Sequence, residues 1–178
     1  TNMVSTLYEY IDETWIHTYK EVSSFENGNR TSLISYGFNE NTWVPDTKIS
    51  YDFDNGKISE LIQSDFESGV WKDLIKQTFR YEGNKLFEVL NFGNGPEWET
   101  ISKEVFTYSE DKYDTIFFYD FLGGIFEQAG KAAVTYGNNL IVKIDLYEYS
   151  DKGWLHTDDS LNFTYDSFGN LQSETGHN

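Results

Sequence analysis

Six large aromatic residues, Trp15, Trp43, Trp71, Trp98, Phe126 and Trp154, offer the first chemistry that this chain could perform. A row of exposed indoles suits the apolar faces of pyranose rings, so the row is a candidate polysaccharide platform. The same rings could equally form a core ladder, each packed against an aromatic across a hairpin. Three histidines are a second candidate. His17 and His156 occupy matching contexts, Trp15-Ile16-His17-Thr18 and Trp154-Leu155-His156-Thr157, and His177 lies near the C-terminus. Imidazoles brought together could bind zinc. The acidic turn from Asp52 to Glu60 has spacing near that of a calcium loop, but its Gly56 is fifth and its Glu60 ninth, where an EF-hand needs the sixth and twelfth positions. Weak Ca²⁺ binding at such turns is the only cofactor expected. Acid–base work would need a carboxylate pair, for which Asp111, Asp114 and Asp120, or Asp158 and Asp159, are available among 30 acidic residues. Nothing in their spacing singles them out, and no GxSxG motif or phosphate-cradling glycine loop is present.

The elements that position these residues follow from their spacing. The five tryptophans are separated by 28, 28, 27 and 56 residues, and Phe126 stands in the middle of the last gap. Other series keep this register. Tyr10, Phe38, Phe66, Phe92, Phe121 and Tyr149 precede the anchors by five residues, or six in one case. Lys20, Lys48, Lys76, Lys103 and Lys131 follow them by five, until Asp159 takes that place. Tyr51, Tyr81, Tyr108, Tyr136 and Tyr165 precede a second turn. A fixed period of about 28 residues is the mark of a repeat architecture.

Each repeat reads as two strands and two turns. Four-residue loops rich in Gly, Asn, Asp and Ser lie between the paired aromatics, as in Phe38-NENT-Trp43 and Phe66-ESGV-Trp71. The second turn follows the tyrosine, as in Tyr51-DFDNG and Tyr136-GNN. Between turns the residues alternate. Counting from Trp71 by twos reaches Tyr81, so the anchor and the tyrosine are expected on one face and Lys76 on the other. The expected architecture is all-β: an antiparallel meander of about six two-strand repeats forming one curved sheet, with closure into a barrel as the alternative. Residues 1–178 are expected to form a single β-repeat domain, a piece of a longer array. In an open sheet the five repeats between His17 and His156 span about 50 Å, so only a closed ring would assemble a metal site.

Composition narrows the partners. The net charge is −17 and the pI about 4.3, which repels nucleic acid and anionic lipid headgroups alike. Aromatic residues make up 18% of the chain, far too many for a disordered polyanion. Cysteine is absent, removing disulfides and thiolate chemistry. No apolar run is long enough for a transmembrane helix, and no charged-then-apolar signal segment opens the chain.

Tyr165-Asp166-x-x-Gly169-Asn170-Leu171, with the looser Tyr51-Asp52…Gly56-Lys57-Ile58 and Tyr136-Gly137-Asn138-Asn139-Leu140, resembles the YD repeats of bacterial RHS-type and related surface proteins, in a longer variant that adds the tryptophan hairpin. The resemblance implies long antiparallel sheets in secreted or cell-surface bacterial proteins, and transfers no catalytic residue. The expected function is a non-catalytic module presenting an extended face for adhesion to protein or polysaccharide; the alternative is a carbohydrate-active enzyme using an acid pair.

Overall fold

The computed structural model describes residues 1–11, 14–95 and 97–177, with side chains described outside residues 9–17 and 177. The tyrosine Tyr10, the anchor Trp15 and the histidines His17 and His177 therefore lie, as side chains, outside the described residues. Among the described residues thirteen strands occur: β1 (Asn2–Ile11), β2 (Thr14–Glu26), β3 (Asn29–Asn39), β4 (Thr42–Asp54), β5 (Lys57–Glu67), β6 (Val70–Glu82), β7 (Lys85–Gly93), β8 (Glu99–Ser109), β9 (Lys112–Leu122), β10 (Ile125–Gly137), β11 (Leu140–Ser150), β12 (Gly153–Tyr165) and β13 (Leu171–His177). They form one antiparallel sheet in chain order, and the order is open, with β1 and β13 at its ends rather than closed into a barrel. The chain is organised as two compact units, Thr1–Phe79 with Asn91–Glu99, and Arg80–Leu90 with Thr100–Asn178.

The aromatic hairpins are tighter than the sequence suggests. Asn39 pairs with Thr42 and Glu67 with Val70, leaving loops of two residues instead of four. Glu40 and Asn41 have φ of 45° and 62°, Ser68 and Gly69 of 51° and 85°, and Gly123 and Gly124 of 59° and 90°. Two successive positive φ values give the type I′ turn, whose twist matches the flanking strands. Asn55-Gly56, in the loop with calcium-like spacing, is another such turn (φ 50° and 78°).

The last tyrosine turn is longer and is closed by Asp166. Its carboxylate accepts the backbone N–H of Phe168 and of Asn170, each at 2.8 Å, and the Asn170 amide at 2.9 Å, while Gly169 adopts φ +85°. The Asn170 bonds, followed by those from Phe168 and Gly169, hold the Asp166 carboxyl below the ordinary aspartate value. A depressed pKa contributes stability above the unfolded value of about 3.9, and that contribution disappears as pH falls through the folded value. The melting-temperature gap between wild type and Asp166→Ala should therefore be full at pH 6 and narrow below about pH 4. A gap that stays constant down to pH 3 would show that the carboxylate is not holding the turn.

β-Bulges near the anchors and beside the tyrosine turns reorganise the faces. Near the anchor, the partner of Gln63 is Ile75 while that of Ser64 is Asp73, so Leu74 is an extra residue on β6. Ala129 is the extra residue on β10 and Thr18 on β2. A second bulge lies beside the tyrosine turn, at Thr31, Ser59, Asp114, Val142 and Gln172. One inserted residue shifts the alternation by one. The expected shared face of Trp71 and Tyr81 thus does not form: the register carries Trp71, Ser64, Ile62 and Lys76 on one face, and lysine joins tryptophan.

The apolar surface consequently changes sides along each strand. In the second unit the aromatic-hairpin half carries Tyr119, Phe117, Lys131 and Tyr147 on what is here called the ladder face. Toward the tyrosine turns that face becomes polar, with Thr107 opposite Thr115 and Thr164 opposite Ser173. The opposite face there holds Phe106, Ile116, Val134, Ile144 and Leu161, and Ala132 and Val134 are buried on it. Tyr108, Tyr136 and Tyr165 also lie on it, and their hydroxyls donate to the backbone oxygens of Leu86, Tyr113 and Ile141 at 2.9, 3.0 and 2.8 Å. Tyr113 and Ile141 immediately precede bulged residues, so each phenol reaches a carbonyl beside a break in the strand pairing. Burial pushes the Tyr136 phenol above its usual value.

Candidate functional site

The anchor aromatics are built into a repeated stack. Across each described two-residue hairpin the predicted pair is in contact: Phe38 with Trp43 (centroids 4.9 Å apart), Phe66 with Trp71 (5.1 Å), Phe121 with Phe126 (4.9 Å) and Tyr149 with Trp154 (4.9 Å), all inclined by 59–65°. Tilted and edge contacts of this kind suit the ring quadrupoles. The Phe92–Trp98 segment has a longer loop, in which the Asn94 backbone N–H donates to the Leu74 carbonyl at 3.1 Å and its side-chain amide donates to the Asp73 carbonyl.

A lysine from the preceding repeat reaches each described anchor, and at Lys76 and Lys131 the bulge sets the face it points to. The ammonium of Lys20 lies 4.9 Å from the Trp43 ring, that of Lys48 5.4 Å from Trp71, that of Lys76 5.3 Å from Trp98, that of Lys103 4.4 Å from Phe126 and that of Lys131 4.6 Å from Trp154. Four of these lysines also cover a second ring: Tyr36 at 4.0 Å, Phe92 at 4.8 Å, Tyr119 at 4.8 Å and Tyr147 at 4.7 Å. At the fifth place Ser64 stands opposite Lys48; it is fully buried and donates to Asp73 at 2.7 Å. The lysines are half-buried, and the Lys76 and Lys103 side chains are only 18% and 21% exposed. Glu60 and Glu88 stand 3.9 and 4.0 Å from them. Each ammonium–ring contact contributes roughly 0.5–2 kcal/mol, more as water is excluded.

The lysines are thus part of the aromatic ladder rather than an outer solvated row. Trp43, Trp71, Trp98, Phe126 and Trp154 are half-buried. The rings at Tyr36, Tyr119 and Tyr147 were not among the expected aromatics, and Phe92, expected with the residues that precede the anchors, falls in their series instead; the spacing of 56, 27 and 28 residues, with Ser64 midway in the first interval, is the same period. Phe117 on β9 and Trp154 on β12 have centroids 5.9 Å apart, where three strand spacings would be about 14 Å on a flat sheet. The ladder face of this unit is therefore concave.

The last repeat breaks the pattern. Thr157, Asp158 and Asp159 stand opposite Leu146 alone, Asp158 has φ +64°, and the Thr157 hydroxyl donates to the Leu146 carbonyl at 3.1 Å. This wide bulge occupies the place that a lysine holds elsewhere. Beside it, His156 Nδ1 accepts the Asp158 backbone N–H at 3.1 Å, so Nε2 carries the proton toward Asp145 Oδ1 at 3.3 Å. Lys143 bonds the same carboxylate at 2.7 Å and, with His156, holds Asp145 below the usual aspartate value. Both imidazole nitrogens are engaged, leaving His156 no lone pair for a metal. Among the described residues no group of three or more His, Asp or Glu is arranged to hold one.

The candidate acid pairs do not converge. Asp111 is fully exposed and 3.3 Å from Lys85, while Asp114 accepts from Thr107 at 2.8 Å. Asp120 is six residues further along β9, about 20 Å away. Asp158 is 97% exposed.

No protein-family model matches the chain, and no curated protein does. Solved structures similar to it include a DUF3836 family protein from Bacteroides vulgatus, with 15% identity over 47% of this chain and 90% of that one (TM-score 0.43). A DUF3836 family protein from Parabacteroides distasonis has 14% identity over 59% and 77% (TM-score 0.34). A protein with unknown function from Bacteroides fragilis has 14% identity over 89% and 91% (TM-score 0.33).

Proposed function

We propose that the chain is a non-catalytic β-repeat module of a secreted or surface-displayed bacterial protein, binding polysaccharide or protein along an extended sheet face. The observation that carries this reading is the recurrence of one lysine–aromatic stack at five successive anchors. Identical groups at fixed intervals suit a ligand that itself extends, whereas catalysis concentrates its groups at one place. A groove lined by Tyr119, Phe126, Gln128, Tyr149 and Ser150 lies beside the ladder in the second unit, and the tyrosine–aspartate turn supports the surface-protein kinship. The rings contribute to binding through the edges that the ladder leaves uncovered.

Depletion from solution by suspensions of cellulose, chitin and peptidoglycan tests this reading. At least one should retain the protein, with a shift in tryptophan emission and no release of reducing ends. Release of reducing ends that Asp114→Asn or Asp159→Asn abolishes would replace the module with the carbohydrate-active enzyme.

A further inference from the structure

Among the described residues of β8–β12, lysine is confined to one face of the sheet, where Asp145 is paired with Lys143. Lys103, Lys131 and Lys143 all project to the ladder face. Glu104, Asp120, Glu127 and Glu148 project to the other. Among the described residues none of these four carboxylates is in an ion pair. Asp120 stands directly opposite Glu127, an arrangement that destabilises an antiparallel pair. One step toward the hairpin, on the same face, Leu122 stands directly opposite Ile125, and Leu155 stands opposite Glu148. These aliphatic side chains are 55%, 61% and 62% exposed. A solvated face would gain by placing lysine at one of the acidic positions and a polar residue at the aliphatic ones; this face has neither.

We propose that this acidic and aliphatic face of the second unit docks a basic protein segment in which apolar and cationic side chains alternate. The inference rests on the binding-module reading and names the partner of one face. A segment lying across β9 and β10 would set its apolar side chains on Leu122 and Ile125. Its ammonium or guanidinium groups would reach Asp120 and Glu127, two residues back along the same strands and about 7 Å away. The partner's charge would relieve the carboxylate repulsion that the free protein sustains. Nucleic acid and anionic lipid are repelled by the same four carboxylates.

Fluorescence anisotropy of a labelled octapeptide of alternating lysine and valine, titrated with the whole chain, tests the proposal. An octapeptide of alternating glutamate and valine should not bind. Asp120→Lys should weaken the lysine peptide about tenfold while raising Tm by roughly 2 °C, because it creates an ion pair with Glu127. Asp120→Asn should act in the same direction more weakly, and Ile125→Ser should weaken binding several-fold. Glu40→Lys, which changes net charge equally in a turn of the first unit, should leave affinity within about twofold. Equal weakening by Glu40→Lys would overturn the proposal, reducing the binding to attraction by net charge. Retention on polysaccharide without any binding of the lysine peptide would overturn it too, while leaving the module reading intact.

Discussion

Deleting Ala129 should unfold the second unit or cost on the order of 5 kcal/mol. Ala129 is a small residue that makes no ring or ion contact, yet it is the extra residue that sets the parity of β10. Without it every residue from one end of the strand exchanges faces. If the C-terminal part of β10 turns over, Lys131 leaves Tyr147 and Trp154 and meets the face of Ile116 and Leu146. Ala132 and Val134, both buried, then face the polar side. If the hairpin end turns over instead, Phe126 loses Phe121 and Lys103. Ala129→Ser keeps the residue count and should cost less than about 1 kcal/mol. Thermal and urea unfolding of both variants provides the comparison. A deletion no worse than the serine variant would show that the bulge does not set the face.

The second large effect is expected at Trp71. Trp71→Ala removes the contact with Phe66 and the ring beneath the Lys48 ammonium, and leaves Lys48 drawn inward without its partner. Core tryptophan truncations cost 3–5 kcal/mol; for a half-buried ring the lower end, about 3 kcal/mol, applies. In a chain of this size that is a fall in Tm of roughly 6–12 °C. Lys48→Met keeps the stem and removes the charge, so its cost should be about 1 kcal/mol. If Trp71→Ala left stability within about 0.5 kcal/mol of wild type but abolished retention on an insoluble polysaccharide, the ring would be a bare platform and the ladder assignment would fall.

These two experiments touch different levels of information. Ring pairing across the hairpins, as at Phe38 and Trp43, was legible because the aromatics recur at constant distance from glycine- and asparagine-rich turns, and such turns dictate register locally. The all-β class, the antiparallel meander and the repeat length followed from the same periodicity. Loop length was less legible: Glu40-Asn41 adopts two positive φ values without glycine, so NENT reads as a longer loop. The candidate histidines and acid pairs were composition without geometry. At His156 the hydrogen bonds to Asp158 and Asp145 depend on a wide bulge that no local motif announces.

Residue spacing alone shows that aromatic, lysine and tyrosine series share one period and therefore one repeated strand pair. Which of those series share a face is set by strand pairing. Alternation along a strand is counted residue by residue, so a single unpaired residue inverts everything beyond it, and whether Leu74 or Ala129 is unpaired depends on how the neighbouring strand aligns. That alignment places the Lys48 ammonium over the Trp71 ring and the Lys131 ammonium over the Trp154 ring. It also leaves Asp120, Glu127 and their aliphatic neighbours together on the other face.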